Sequence, residues 1–230
     1  TLSNTANSAD WDKQFLMTSD IDMSGITGFT PIGSDTNPSS TLFDGPTFTG
    51  VFDGGSHVVR NLAISRTNDS YVGLFAWVSG DISAWPPCEI KNLGVEGGSV
   101  SGNFNVGGLI GRVSSYVSVT SCFASVPVAG NMNAGGLAGS VSANSTITSC
   151  HATGNVTMPY IANRGGGLIG SCSGTVTACY ATGSVSAGLE AVVGGLVGSS
   201  GGTISSSYAT GSVTFGVGSI QSIGGGLVGY

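Results

Sequence analysis

Asp20 and Asp22 stand two residues apart, and on a strand that spacing projects both carboxylates from one face. Carboxylates paired in this way do acid/base work in polysaccharide-cleaving enzymes, where one protonates the leaving oxygen and the other assists attack. The same residues serve equally as caps of a turn, because an Asp side chain bonds to backbone amides two residues on. Acid/base work also needs a facing partner and a shifted pKa, neither of which the pair provides by itself. His57 and His151 are the only histidines and no His-Glu-x-x-His occurs, so zinc-peptidase chemistry has no seat in this chain. There is no Gly-x-Ser-x-Gly elbow, and the glycine clusters lack the Lys-Ser/Thr that follows a phosphate-cradling loop. Asp and Asn do not recur at a fixed position, whereas a calcium site needs several oxygen ligands. The residues therefore read as non-enzymatic, with no catalytic group, cofactor or metal.

Five cysteines, Cys88, Cys122, Cys150, Cys172 and Cys179, contain no Cys-x-x-Cys, which removes zinc-ribbon and thioredoxin-like readings. In one reading they are small apolar fillers of a core. In the other, Cys172 pairs with Cys179 or Cys150 in an oxidising compartment, leaving an odd thiol. Asn68-Asp-Ser70, Asn144-Ser-Thr146 and Asn155-Val-Thr157 match the N-glycosylation acceptor pattern, which makes sense only on exposed turns. No run of 18 apolar residues is present, and no signal peptide remains at Thr1. The expected location is extracellular or on the cell surface, without membrane insertion.

Charge is scarce. Charged residues make up 8% of the chain, against roughly a quarter in ordinary soluble domains. After Arg112 only Arg164 and Glu190 remain, two charges in 118 residues. A free monomer stays soluble through mixed surface charge, so much of this surface is expected to be covered by copies of the chain, by glycans or by the rest of a longer parent chain. The net charge of −6 and the lack of a basic stripe exclude nucleic acid as a partner.

The elements that must position these residues come from a repeat. Gly107-Gly-Leu-Ile-Gly111, Gly135-Gly-Leu-Ala-Gly139, Gly166-Gly-Leu-Ile-Gly170, Gly194-Gly-Leu-Val-Gly198 and Gly225-Gly-Leu-Val-Gly229 place their leucines 28, 31, 28 and 31 residues apart. Val119-Thr-Ser-Cys122, Ile147-Thr-Ser-Cys150, Val176-Thr-Ala-Cys179 and Ile204-Ser-Ser-Ser207 keep the same beat, with Val59-Arg-Asn-Leu62 and Ile90-Lys-Asn-Leu93 as upstream copies. Two motifs locked to one period mean a repeat protein. Gly at 40 of 230 positions and the absence of a sustained i, i+3, i+4 pattern exclude helices. A unit of 28–31 residues makes one coil of three short strands, and coils stacked at about 4.8 Å bury each other's apolar side chains. The fold predicted is an all-β, right-handed parallel β-helix of seven to eight coils. Residues 1–58 form a cap-like segment and irregular first coils, with Trp11, Phe15 and Leu16 over the first coil, and residues 59–230 form one continuous repeat domain.

Period-2 alternation sends Cys122, Cys150 and Cys179 inward with Ala124, Ala152 and Ala181. Phe123, His151, Tyr180 and Tyr208 then form one outward column, with Ser125, Thr153, Thr182 and Thr210 in the next. These two columns are the candidate contact surface. The glycines flanking each leucine serve sharp corners of positive φ or close coil packing.

The boxes resemble the GLUG-motif family, as do Tyr180-Ala-Thr-Gly183-Ser-Val185 and Tyr208-Ala-Thr-Gly211-Ser-Val213. So does the leading segment with Asp20-Ile-Asp22-Met-Ser-Gly25, Pro31-Ile-Gly33 and Phe48-Thr-Gly-Val-Phe-Asp53-Gly54. The resemblance implies a right-handed β-solenoid of the kind found in secreted and surface proteins of bacteria and archaea: adhesins, and accessory regions of immunoglobulin-A-directed metallopeptidases. It implies no single activity.

The function expected is a non-catalytic extracellular structural or adhesive protein that self-assembles into a filament, sheath or surface layer. Surface glycans and host or cell-surface ligands are the further partners considered. The alternatives are a carbohydrate-binding or carbohydrate-cleaving β-helix and, third, an ice-binding protein. Ice binding needs a flat Thr array, which Thr153, Thr182 and Thr210 supply only in part beside the bulky aromatic column.

Overall fold

Alternating small and β-branched residues, broken every few positions by glycine or serine, commit the chain to short strands that pair only with the next coil. The computed structural model describes residues 5–36, 43–159, 164–216 and 221–230; the start of the expected cap, residues 1–4, lies outside them. Three parallel sheets of 16, five and five strands make up an all-β solenoid, and the one helical element among the described residues is a 3-10 turn at Thr5–Asp10. In one coil, Val117–Thr120, Phe123–Ser125 and Val128–Ala129 lie on the large sheet, Met132–Gly135 on one small sheet and Ala138–Val141 on the other. The next coil repeats the path in register, with Val119 against Ile147 and Ile147 against Val176. About four turns are fully regular on all three faces. Among the described residues no helix is long and apolar enough to cross a membrane.

Leu109, Leu137, Leu168 and Leu196 stack as one fully buried interior column. Leu227 has the same place in its box but is 38% exposed, because it sits on the outermost described coil. Cys122, Cys150 and Cys179 with Ala124, Ala152 and Ala181 are buried on the large sheet, as the parity requires. Where the first coils are wider, aromatic rings fill the extra space: Phe48 lies 5.2 Å from Phe75 and Phe52 lies 5.3 Å from Phe75.

The box glycines act by close approach, since none of them takes a left-handed φ. The two small sheets meet so closely that a Cβ on Gly139 would stand 2.5 Å from the carbonyl carbon of Asn105 in the preceding coil. On Gly170 it would stand 2.7 Å from that of Asn133, and on Gly111 2.7 Å from that of Tyr71. Each box thus zips one small sheet onto the other with backbone against backbone. The left-handed corner of each coil lies elsewhere, at Ser56, Asn92, Ser121, Ser149, Ala178 and Ser206, with φ of 65, 51, 53, 53, 53 and 49°.

One alignment differs from that expected. Leu93 pairs with His57 rather than with Leu62, and Leu62 faces Gly98, because this coil is longer than the later ones: its offset is 38 residues at Phe52–Ile90 and 36 at His57–Leu93, with a bulge between Asp53 and His57. Gly54-Gly55 absorbs this bulge, Gly55 at φ 59°. Leu62 is still fully buried.

Candidate interaction surface

Asp20 accepts hydrogen bonds from the Val58 amide (3.1 Å) and the Arg60 guanidinium (3.1 Å), and lies 3.2 Å from His57 Nδ1. Arg60 also pairs with Glu96. Asp22 accepts from Asn61 Nδ2 and from the amide and hydroxyl of Ser24. The Val58 amide, then Arg60 and His57, hold the Asp20 carboxyl below its usual range, and Asn61 and Ser24 pull Asp22 to about 2. Both are therefore ionised carboxylates whose lone pairs tie the first coil to the second, as turn caps do. A general acid needs its pKa raised towards neutrality, and these two are lowered. Among the described residues no three His, Cys, Asp or Glu side chains gather as a metal site.

Phe123, His151, Tyr180 and Tyr208 do form one column. Their ring centroids are separated by 5.1, 4.6 and 5.2 Å, with interplanar angles of 6, 5 and 6°. Phe123 in turn covers Gly94, whose absent Cβ leaves room for the ring. The faces between successive rings are therefore taken, and apart from the Phe123 face over Gly94, among the described residues only the outer face of Tyr208 has no ring on it. A sugar platform needs an open aromatic face, so this stack serves first to hold coil on coil. His151 lies inside it, and desolvation lowers its pKa from 6.5. A histidine with a depressed folded pKa contributes stability that is complete above the unfolded value and is lost as pH falls through about 6.5 towards the folded value. His151→Phe keeps the stack and removes the titration. Thermal melts from pH 7.5 down to 5 are expected to show wild-type stability falling over that range more steeply than that of the variant.

Beside the stack, Thr153, Thr182 and Thr210 are exposed, and Ser125 and Thr153 share a 2.7 Å hydroxyl contact. A second hydroxyl array, not singled out from the sequence, lies on Val117–Thr120, Thr146–Thr148, Thr175–Thr177 and Thr203–Ser205. Its signal is in the chain as Thr146-Ile-Thr148 and Thr175-Val-Thr177, each ending two residues before a repeated cysteine, with Ser118-Val-Thr120 and Thr203-Ile-Ser205 in the same place.

Cys172 and Cys179 do not form the disulfide considered for them. All five cysteines are buried free thiols. Cys172 belongs to a strand of a small sheet, whereas the Cys179 thiol donates towards Ile147 and Thr177 carbonyls beneath the large one. Burial pushes Cys88 up to about 12 and Cys172 up to about 11; the hydrogen-bonded thiol ladder raises Cys150 and Cys179 further. Inert fillers behave in this way. Asn68, Asn144 and Asn155 are all exposed. Asn155 Oδ1 is an acceptor for the amide and hydroxyl of Ser184 in the next coil.

Both ends of the solenoid are apolar sheet edges. At the first coil, a recess of about 830 Å³ is lined by Phe15, Leu16, Ile21, Ile26, Phe29 and Ile32 among others. Leu16 is 66%, Ile26 50% and Ile21 42% exposed. Trp11 is buried as expected of a cap, but Leu16 does not cover the coil. At the opposite end, Tyr208, Ile223, Leu227 and Tyr230 are exposed.

No curated protein matches the chain. Among solved structures, a crystal structure of a putative immunoglobulin A1 protease from Bacteroides ovatus superposes with a TM-score of 0.73 at 26% identity, over 94% of this chain. The chain spans 65% of that protein's length. The family profile of the GLUG motif matches residues 130–157. That stretch holds one box, Gly135–Gly139, and one Ile147–Cys150 segment, so it is one complete coil of the solenoid. Residues 130–157 are thus a GLUG motif, set in a parallel β-solenoid of GLUG-like repeats.

Proposed function

We propose that this chain is a non-catalytic, extracellular structural or adhesive protein of a cell surface: a right-handed rod that joins end to end with copies of itself into a filament, sheath or surface layer. Counted with its irregular first turns and its last box, the rod has seven to eight coils. The observation that carries the reading is the open apolar recess at the first coil, where Leu16, Ile21 and Ile26 are exposed beside the strands Gln14–Leu16 and Ile21–Asp22, which pair on one side only. Such edges pair with further strands unless charge or a covering element blunts them. The nearly uncharged surface after Arg112 favours lateral cover as well, by further copies or by glycans at Asn68, Asn144 or Asn155.

Lowered pKa values at Asp20 and Asp22 and covered ring faces from Phe123 to Tyr208 weigh against carbohydrate cleavage and against aromatic sugar stacking. The protease name of the Bacteroides ovatus protein belongs to a longer chain, and this stretch is proposed as a non-catalytic accessory part of any such protein. Leu16→Lys with Ile21→Lys places two charges on exposed positions of the recess. The variant is expected to keep its β-sheet circular dichroism and lose end-to-end association in light scattering. Association undiminished in a folded variant would rule out the first-coil end as the joint.

A further inference from the structure

The four-strand hydroxyl face points to a ligand that the end-to-end reading does not use. Ser118/Thr120, Thr146/Thr148, Thr175/Thr177 and Thr203/Ser205 stand outward in two columns, paired in register from coil to coil. Beneath them Val119, Ile147 and Val176 are fully buried, so the face is pinned to the core. Parallel strands place successive rungs about 4.8 Å apart and alternate residues about 6.6 Å apart. Both distances are close to oxygen repeats of hexagonal ice.

Two further observations concern order rather than spacing. The four strands pair in strict register, with Ser118, Thr146, Thr175 and Thr203 opposite one another in one column and Thr120, Thr148, Thr177 and Ser205 in the other, so no rung is displaced along the strand. Threonine is stiff at χ1, which fixes methyl and hydroxyl together, and neighbouring hydroxyls hold one another: Ser118 to Thr120 at 3.2 Å and Thr177 to Ser205 at 3.1 Å. The face carries no charge; the nearest, Glu89 and Lys91, precede its first rung and pair with each other at 2.7 Å. The aromatic stack lies past the left-handed corner at Ser121, Ser149, Ala178 and Ser206, so its bulk stays off this plane.

We infer that the Ser118-to-Ser205 face is an ice-binding site, which orders water between its methyl and hydroxyl columns and adsorbs to an ice surface. It is a different face from the Thr153, Thr182 and Thr210 column, which is one residue wide per coil and adjoins the rings.

The purified chain, held in buffer beside a seeded ice crystal, is expected to shape the crystal, hold its growth below the melting point and inhibit recrystallisation. Thr148→Tyr with Thr177→Tyr blocks the middle of the face with a residue that strands accept, and is expected to abolish both activities. Thr153→Tyr with Thr182→Tyr is expected to retain them. Ser118→Thr with Ser205→Thr completes the threonine lattice at its two ends, and is expected to widen the freezing gap; this variant decides the matter if the tyrosine pair misfolds. Crystals that grow with the wild-type chain as they do in buffer overturn the inference. So do equal losses in the two tyrosine pairs, or a completed lattice that gains nothing.

Discussion

Gly139→Ala is expected to cost about 3 kcal/mol of stability, although it adds a single methyl group. The added Cβ would stand 2.5 Å from the Asn105 carbonyl carbon, and backbone cannot swing aside as a flexible side chain can. To make room, the two small sheets must separate, and every coil zipped through the same boxes is strained by that separation. Gly226→Ala is the control, because a Cβ there meets nothing within 4 Å. Urea unfolding of the two variants is expected to show a large shift for Gly139→Ala and almost none for Gly226→Ala. Equal small shifts would mean that the glycines repeat in the boxes for their backbone angles, contrary to the negative or extended φ that they adopt.

Leu168→Asp is expected to be more damaging still, at about 4 kcal/mol or more. Leu168 is fully buried between Leu137 and Leu196, and among the described residues no cation lies in that column to pair with a carboxylate. The charge must be neutralised or the coil opened. With total domain stabilities near 5 to 15 kcal/mol, such a loss takes much of the fold. Leu227→Asp puts the same charge at a position already 38% exposed and is expected to cost far less. A Leu168→Asp protein that melts with the wild type would remove Leu168 from the core.

The repeat and its inward parity were legible because both are periodic. The buried Leu109-to-Leu196 column and the ladder of Cys122, Cys150 and Cys179 follow directly from spacing. What glycine does in the boxes was not legible, since a missing Cβ permits either positive φ or close approach, and only the neighbouring sheet decides between them. The pairing of Leu93 with His57 was hidden because this coil runs 36 to 38 residues, so its copy of the motif does not share the 28–31-residue period of the later coils. Phe123, His151, Tyr180 and Tyr208 share one parity and stack ring on ring, yet a one-dimensional pattern does not say whether rings present faces or edges. Thr146-Ile-Thr148 and Thr175-Val-Thr177 stood in plain view, but without the in-register pairing of the four strands they looked like ordinary outward strand positions. Cys172 and Cys179, seven residues apart, are separated by a turn from one sheet to another, which sequence distance does not record.

The rod is proposed to join end to end with further copies through the apolar recess at its first coil. Sedimentation velocity over a hundredfold range of concentration, with negative-stain microscopy of the same samples, reads this directly. The expected result is a mass that rises with concentration, in unbranched rods one solenoid wide whose lengths are multiples of the single rod. A single monomeric boundary at every concentration, with isolated short rods on the grid, would contradict it.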